Sequence, residues 1–106
     1  MGRHRQTKAT AIPGKIKREV ERRDGGLCIF CKRPGRGEAH FIGRAQGGLG
    51  IPENLLTVCR ECHERMDNSQ ARGLMLQIAE AYLREHYTGW NKEALVYRKY
   101  KDQTFW

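Results

Sequence analysis

Apolar residues recur at helical spacing near the amino terminus of the chain. They stand four residues apart, at Ile12, Ile16 and Val20. This spacing places them on one face of a helix, and Pro13 suits a first helical turn, where its missing N–H would have no partner. We therefore predict a short helix over about residues 13–23, ended by the Asp-Gly-Gly break at 24–26.

A second and longer helical pattern lies near the carboxyl terminus. Its apolar positions are Ala71, Leu74, Met75, Ile78, Tyr82 and Leu83. They predict a helix over about residues 70–87, ended by Gly89, and we expect Leu74, Met75 and the tyrosines to pack in the core. A further short helix is predicted near Lys92 to Lys99.

Between these helices the pattern becomes extended. Phe41 and Ile42 favour a strand over Glu38–Gly43, and the apolar run Leu55–Val58 is typical of a returning strand. A glycine-rich loop joins the two, and the uninterrupted stretch from Cys62 to about Asn68 predicts a helix. The predicted fold class is a small α+β domain, in which strand, loop, strand and helix surround one site.

The chain is short and its charge is uneven. Its 106 residues suffice for one small domain with a marginal core. Residues 1–36 hold eleven Lys/Arg against three acidic residues, a difference that equals the whole net charge of +8. We expect residues 1–11 to form a flexible basic arm and residues 12–106 a single domain. Such a basic patch suits a polyanion such as DNA or RNA, although a solvated tail would have the same composition.

Two C-x-x-C turns are the strongest chemical signal. CIFC runs from Cys28 to Cys31, and CREC runs from Cys59 to Cys62. Each turn can supply two corners of a tetrahedron, so the four thiolates predict a structural zinc site. Two disulfides in a secreted mini-protein are the alternative, but no apolar signal segment or membrane span of roughly 20 residues is seen. We therefore expect a reducing, cytoplasmic setting without a membrane partner.

The segment around these turns resembles the HNH endonucleases, and more narrowly the small phage and prophage types. The matching pattern runs through CIFC, AHFIGRAQGG, ENLLTV and CRECHERMDN; it covers a core motif at 28–68 and leaves a helical extension at 69–106. The resemblance implies a ββα-metal fold, in which a β-hairpin and a helix hold one divalent ion beside a scissile phosphate. It also implies a bacterial host cell as the setting and a phage terminase, in genome packaging, as a candidate partner.

Three residues fall at the positions that give the family its name. The resemblance implies that His40 is the general base, that Asn54 is the central asparagine, and that His63 is the last histidine. The side-chain chemistry fits these roles, because a neutral imidazole accepts a proton near neutral pH, and Mg²⁺ or Mn²⁺ stabilises charge on a phosphate. The amide of Asn54 does not titrate, so we expect it to tie the glycine-rich loop to the strand, although some family members use it as a metal ligand. Ordinary structural roles remain the alternative for all three.

One position departs from the family pattern. Ala39 stands where the family usually has an Asp or His that binds the metal, and a methyl group cannot do so. Asp67 lies four residues after His63, on the same helical face. We predict that His63 and Asp67 are the protein ligands of the catalytic ion, with Glu38, which shares the strand face of His40, as a weaker candidate.

Basic residues supply the predicted DNA contacts. Arg44 and Arg60 flank the proposed centre, and arginine can bind a phosphate through two parallel hydrogen bonds. The residues expected to grip the backbone without reading bases are Arg3, Arg5, Lys8, Lys15, Lys17, Arg18, Arg22 and Arg23. No base-reading helix is recognisable, so the prediction is a metal-dependent DNA endonuclease of low sequence specificity.

Two other functions fit parts of the sequence. A zinc-organised nucleic-acid-binding module without catalysis needs only the four cysteines and the basic residues, and Ala39 favours it. The CRECH sequence at 59–63 also matches the C-x-x-C-H haem-attachment motif. We expect no haem, because its attachment normally takes place across a membrane and the other C-x-x-C would be left without a role.

Overall fold

Helices surround one β-hairpin in the part of the chain that the structure describes. The computed structural model describes residues 2–98, and for residues 2–5 the backbone alone. The elements are α1 (Gly2–Thr10), α2 (Gly14–Arg23), β1 (Arg36–His40), β2 (Leu55–Val58), α3 (Arg60–Asn68) and α4 (Arg72–His86). The predicted α+β class is confirmed, as are the helices near 13–23, 62–68 and 70–87. Within residues 2–98 no helix is both long and apolar enough to span a membrane.

The hairpin is antiparallel and exposes one face of β1. Pairing runs from Arg36 opposite Val58 to His40 opposite Leu55, with a bulge between the two pairs. All of β2 is buried, whereas β1 alternates between outward and buried positions. Because side chains alternate along a strand, Arg36, Glu38 and His40 share the outer face.

The predicted first strand is displaced along the chain. It was expected at Glu38–Gly43, but β1 begins earlier and ends at His40. The N–H groups of Phe41 and Ile42 donate instead to the backbone and side-chain oxygens of Asn54, each at 2.8 Å. Pairing with the buried β2 therefore outweighs the local strand preference of the two apolar residues.

Helix α2 packs closely on β1. Val20 is completely buried, and a Cβ at Gly37 would lie 2.9 Å from the backbone oxygen of Lys17. The N–H of Gly37 donates to a carboxylate oxygen of Glu21 at 2.9 Å. A glycine in this strand therefore permits a close approach that any larger side chain would prevent.

The end of α2 carries a buried ion pair. Arg23 donates to both carboxylate oxygens of Asp24, at 2.7 and 2.9 Å. The further acceptors of Arg23 are the backbone oxygens of Pro52 and Leu55 and the hydroxyl of Tyr87. The donors of Arg23 are thus used inside the protein, where they join α2 to the 52–55 segment and to Tyr87 just after α4, and this arrangement speaks against the predicted DNA contact of Arg23.

Helix α4 buries only part of the expected stripe, and Met75 lies in the core as predicted. Met75, Ala79 and Leu83 are buried, whereas Leu74 is 62% exposed and Ile78 is 45% exposed. The prediction that Leu74 lies in the core is wrong, since the helix turns the 75–79–83 stripe inward. The short helix expected at 92–99 is a 3₁₀ segment at Lys92–Leu95, and the last residue of that prediction lies outside the described residues.

The amino-terminal residues form a helix instead of the expected flexible arm. Helix α1 ends at Thr10, which is 2% exposed, and the N–H of Gly50 donates to the backbone oxygen of Ala9 at 3.0 Å. No apolar periodicity marks this helix, so the prediction followed from composition and was wrong. Long-range hydrogen bonds fix the end of α1 against the glycine-rich loop.

Candidate metal and catalytic site

Four cysteines converge at one end of the hairpin. The sulfur atoms of Cys28, Cys31, Cys59 and Cys62 all lie within 4.8 Å of one another, and Cys31 and Cys59 are 3.5 Å apart. A tetrahedral zinc ion with Zn–S bonds of about 2.3 Å requires sulfur separations of about 3.8 Å. The sulfurs therefore fit a closed, four-thiolate zinc site of the structural kind.

Backbone hydrogen bonds shape both cysteine turns. In the first turn Lys32 adopts a left-handed conformation, with φ 67°, and its N–H donates to the oxygen of Cys28 at 2.9 Å. In the second turn Cys59 caps α3, because its sulfur accepts the N–H of Cys62 at 3.4 Å. This cap starts α3 two residues before the predicted position and holds His63 in its first full turn.

The electrostatics of the cysteine cluster favour a bound cation. A hydrogen bond from the backbone of Arg33 lowers the pKa of Cys31 to about 6, whereas burial raises the pKa of Cys62. Neighbouring thiolates repel one another, so the cluster cannot ionise fully by itself. A zinc ion removes this conflict, since it binds all four sulfurs as thiolates.

A polar cleft of about 720 Å³ lies between β1 and α3. Its charged or titratable lining residues are Arg36, Glu38, Cys59, Arg60, His63, Glu64 and Asp67. His63 Nε2 lies 3.6 Å from Asp67 Oδ2, and both side chains are about half exposed. Nζ of Lys17 lies 2.7 Å from Oε2 of Glu38, and this hydrogen-bonded ion pair lowers the pKa of Glu38.

The donor set of this cleft partly fits a divalent ion. The 3.6 Å separation of the His63 and Asp67 atoms is compatible with two neighbouring ligands of one ion. Among the side chains that the structure describes, those of residues 6–98, however, the four cysteines are the one group of three or more metal-ligating side chains that converge. The cleft thus offers two close ligands, and further coordination positions would fall to water and phosphate, as is usual for Mg²⁺.

His40 lies at the end of β1 with one ring nitrogen engaged. Its Nε2 is 3.0 Å from the backbone oxygen of Thr10. Burial lowers the pKa of His40, as do electrostatic interactions with Arg44 and His63, although the hydrogen bond to Thr10 opposes this change. His40 is therefore neutral at pH 7, which is the state that a general base needs.

Asn54 is completely buried and joins the two ends of the glycine-rich loop. Its side-chain oxygen accepts the N–H of Ile42 at 2.8 Å, and its amide donates to the oxygens of Ile42 and Leu49 at 3.1 and 2.9 Å. All three hydrogen-bond partners of the side chain are backbone groups. The amide group of Asn54 is thus engaged within the protein, where it holds the loop that follows His40.

The glycine pair of the loop is required by close packing. Gly47 has φ 85°, a left-handed conformation, and a Cβ at Gly48 would overlap the carbonyl group of Ile42. The loop is also bound from the other side, because Tyr97 N–H donates to Gly47 at 2.7 Å and Leu49 N–H to Leu95 at 2.8 Å. The loop is therefore held between Asn54 and the carboxyl-terminal segment.

The comparisons with known proteins leave the family open. No protein-family model matches the chain, and no curated protein is significantly similar to it. Sequence and geometry therefore carry the functional conclusion.

The predicted DNA contacts divide into two groups. Arg60 lines the cleft, and Lys15, Arg18 and Arg22 are exposed on the outer side of α2. Arg44 instead donates through Nε to the hydroxyl of Thr10 at 3.1 Å and through a terminal nitrogen to the oxygen of Thr7 at 3.3 Å. The structure brings Arg60 beside His63, whereas Arg44 is bound to α1.

Sequence reasoning overlooked two residues of this site. Arg36 lines the cleft, and the alternation of β1 would have revealed it if the strand had been predicted in its true position. Thr10 was assigned to a flexible arm, and its contact with His40 spans thirty positions of the chain, for which no local pattern gives a signal.

Proposed function

We propose that this protein is a metal-dependent DNA endonuclease of the HNH type, which cuts phosphodiester bonds with His40 as the general base. The observation that carries the proposal is the hairpin and helix unit. His40 ends β1, His63 lies in the first turn of α3, and the four cysteines converge from the segment before β1, the end of β2 and the start of α3. His63 also contributes to the electrostatic environment of His40.

His40 supplies the proton acceptor in this mechanism. As the water attacks, its proton moves to the unprotonated ring nitrogen, its oxygen forms a bond to phosphorus, and the bond to the 3′-oxygen breaks. The leaving oxygen takes a proton from solvent. A divalent ion, when bound, supplies Lewis-acid stabilisation of the charge that develops on the phosphate oxygens. His63 and Asp67 are the residues that would hold it.

Cations around the cleft fit a nucleic-acid backbone. Arg36 and Arg60 line the cleft, and Lys15, Arg18 and Arg22 add exposed positive charge on the outer side of α2. Arginine can bind a phosphate through two hydrogen bonds, whereas contacts to the backbone carry no base information. Low sequence specificity is therefore part of the proposal.

A non-catalytic, zinc-organised DNA-binding module is the second candidate. The observation that favours it is that the cleft holds one close pair of ligands, His63 and Asp67, which belongs to no group of three or more converging metal-ligating side chains among residues 6–98. Such a module would bind DNA through the same basic residues. It would not cut DNA with any added metal.

Cutting of a supercoiled plasmid by the zinc-loaded protein separates the two functions. The nuclease converts the plasmid to nicked or linear forms after addition of Mg²⁺ or Mn²⁺, and His63→Ala raises the metal concentration needed for half-maximal rate. His86→Ala is the matched control, since His86 stacks on Tyr82, away from the cleft, with ring centroids 4.3 Å apart. A parent protein that binds DNA but never cuts it with either metal would refute the proposal.

A further inference from the structure

Glu38 lines the cleft but is paired with a lysine from another element. It shares the cleft with His63 and Asp67, and its side chain belongs to the outer face of β1. Its Oε2 lies 2.7 Å from Nζ of Lys17 on α2. Among the described side chains, Glu38, His63 and Asp67 do not form a converging group of three. The carboxylate that β1 brings to the cleft is therefore engaged by Lys17.

A second carboxylate suits the ion that the cleft is expected to bind. Mg²⁺ and Mn²⁺ prefer oxygen ligands, and Mg²⁺ is usually held by one or two carboxylates together with substrate phosphate. Asp67 supplies one carboxylate, and the methyl group of Ala39 cannot supply another. Glu64 also lines the cleft, but it borders a second depression together with Glu61 on the other side of α3. Glu38 is thus the better placed of the remaining carboxylates.

Lys17 has a competing partner in the backbone of a bound nucleic acid. The close packing of α2 on β1 at Gly37 places Lys17 at the cleft, on a helix whose outer side carries further exposed cations. The side chains of Lys17 and Glu38 are 31% and 44% exposed, and ion pairs as exposed as this one are weak. The ammonium group of lysine is a point charge on a flexible stem, so a phosphate group can draw it from a carboxylate.

We propose that DNA completes the metal site: Lys17 holds Glu38 in the free protein, a phosphate of the bound DNA draws Lys17 away, and the released Glu38 becomes the third protein ligand of the divalent ion. The inference rests on the proposed function. Glu38 is then a ligand that becomes available only beside a nucleic-acid backbone. Because binding equilibria are linked, the ion and the DNA strengthen each other's binding by the same factor.

The free protein shows whether Lys17 withholds Glu38. Electron paramagnetic resonance measures the binding of Mn²⁺ to the zinc-loaded full chain without DNA. Lys17→Met keeps the stem but not the charge, and it should tighten Mn²⁺ binding about 10-fold, within the usual range of coupling between sites. This gain should disappear when the chain also carries Glu38→Gln.

Two control variants separate this effect from a general change of charge. Lys92→Met breaks a similar pair, since Lys92 lies 3.3 Å from Glu80 and neither residue lines the cleft, and it should leave Mn²⁺ affinity unchanged. Glu64→Gln removes a cleft carboxylate that the proposal does not use, so the gain from Lys17→Met should persist in its presence. Zinc content and Tm of every variant establish that the fold is intact.

A short fluorescently labelled DNA duplex tests the coupling itself. All chains in this experiment carry His40→Ala, which keeps the duplex uncut, and fluorescence anisotropy gives their affinity for DNA. Mn²⁺ also screens charge, so the comparison is made with a chain that has Glu38→Gln in addition. Mn²⁺ should tighten DNA binding about 10-fold more when Glu38 is present.

Each outcome decides the proposal. It is overturned if Lys17→Met tightens Mn²⁺ binding no more than Lys92→Met does, or does so equally in the presence of Glu38→Gln. Equal strengthening of DNA binding by Mn²⁺ with and without Glu38 also overturns it. If the parent binds DNA with this coupling but never cuts it, the nuclease function fails and the role of Glu38 stands. If the parent binds no DNA, both fail.

Discussion

Replacement of Asn54 by alanine should destabilise the protein strongly, although no metal ligand is lost. The substitution removes three hydrogen bonds and leaves one N–H and two C=O groups of residues 42 and 49 without this partner. A buried polar group without a partner costs about 1–3 kcal/mol. Because Asn54 is fully buried, we expect the free energy of unfolding to fall by about 3 kcal/mol.

The loss is measurable by urea and thermal unfolding of the zinc-loaded protein. For a domain of this size, about 3 kcal/mol corresponds to a fall in Tm of at least about 12 °C. Asn91→Ala is the matched control, since Asn91 makes one exposed hydrogen bond, to the N–H of Glu93 at 3.0 Å. Its substitution should cost about 1 kcal/mol or less.

A second substitution separates the hydrogen bonds from the volume of the side chain. Asn54→Asp keeps the acceptor for Ile42 but faces two backbone oxygens with a carboxylate, so it should be no more stable than Asn54→Ala. If Asn54→Ala were as stable as the parent while it bound the catalytic ion less tightly, the structural role of Asn54 would be refuted and a role as metal ligand favoured.

Three further predictions concern the zinc site, the ion pair and the core. Cys62→Ser or removal of zinc by a chelator should abolish cooperative thermal unfolding, and metal analysis of the parent should give one zinc per chain. Burial alone would raise the pKa of Asp24, but its hydrogen bonds outweigh burial and lower the pKa below 3.8. The ionised Asp24 therefore stabilises the fold above that pH, and this stabilisation is lost as the pH falls through the lowered pKa. In Asp24→Asn the free energy of unfolding, measured at several pH values, should no longer show this loss. Finally, Met75→Ala should cost about 2–5 kcal/mol and Leu74→Ala less than about 0.5 kcal/mol, since Met75 is buried and Leu74 is exposed.

The parts of the fold that local chemistry dictates could be predicted from the sequence. The spacing of Cys28, Cys31, Cys59 and Cys62 predicts the convergence of four sulfurs, and the structure confirms that convergence. The apolar run of β2 and the helical periods of α2 and α4 were likewise sufficient to locate these elements. Each C-x-x-C turn, like each helical period, is a pattern within a short stretch of the chain.

The parts that depend on long-range packing could not be predicted. Helix α1 has no apolar stripe, and it is held by hydrogen bonds between residues 6–10 and residues 44–50, which no local pattern contains. The displacement of β1 has a similar cause, since its outer face carries charged side chains and its inner face is Gly37 and Ala39. Leu74 was expected in the core together with Met75, and its exposure is likewise decided by the neighbours of α4.

The role of Arg23 could not be predicted from the sequence either. In the sequence it is one of many basic residues near the amino terminus, and composition alone suggests DNA. In the structure it donates to Asp24 and to groups on two other elements, and cation–π contacts with Tyr82 and Tyr87 surround it. Charge patterning therefore identifies a basic region but does not distinguish buried members from exposed ones.

The rate of plasmid cutting by His40→Ala, compared with the parent at saturating Mn²⁺, tests the central claim most directly. Zinc content and Tm are determined on the same samples, so that a loss of fold cannot be mistaken for a loss of chemistry. A general base contributes about 10²–10⁴-fold to the rate, so we expect a loss of that size with zinc content intact. A His40→Ala protein that cuts as fast as the parent would contradict the account.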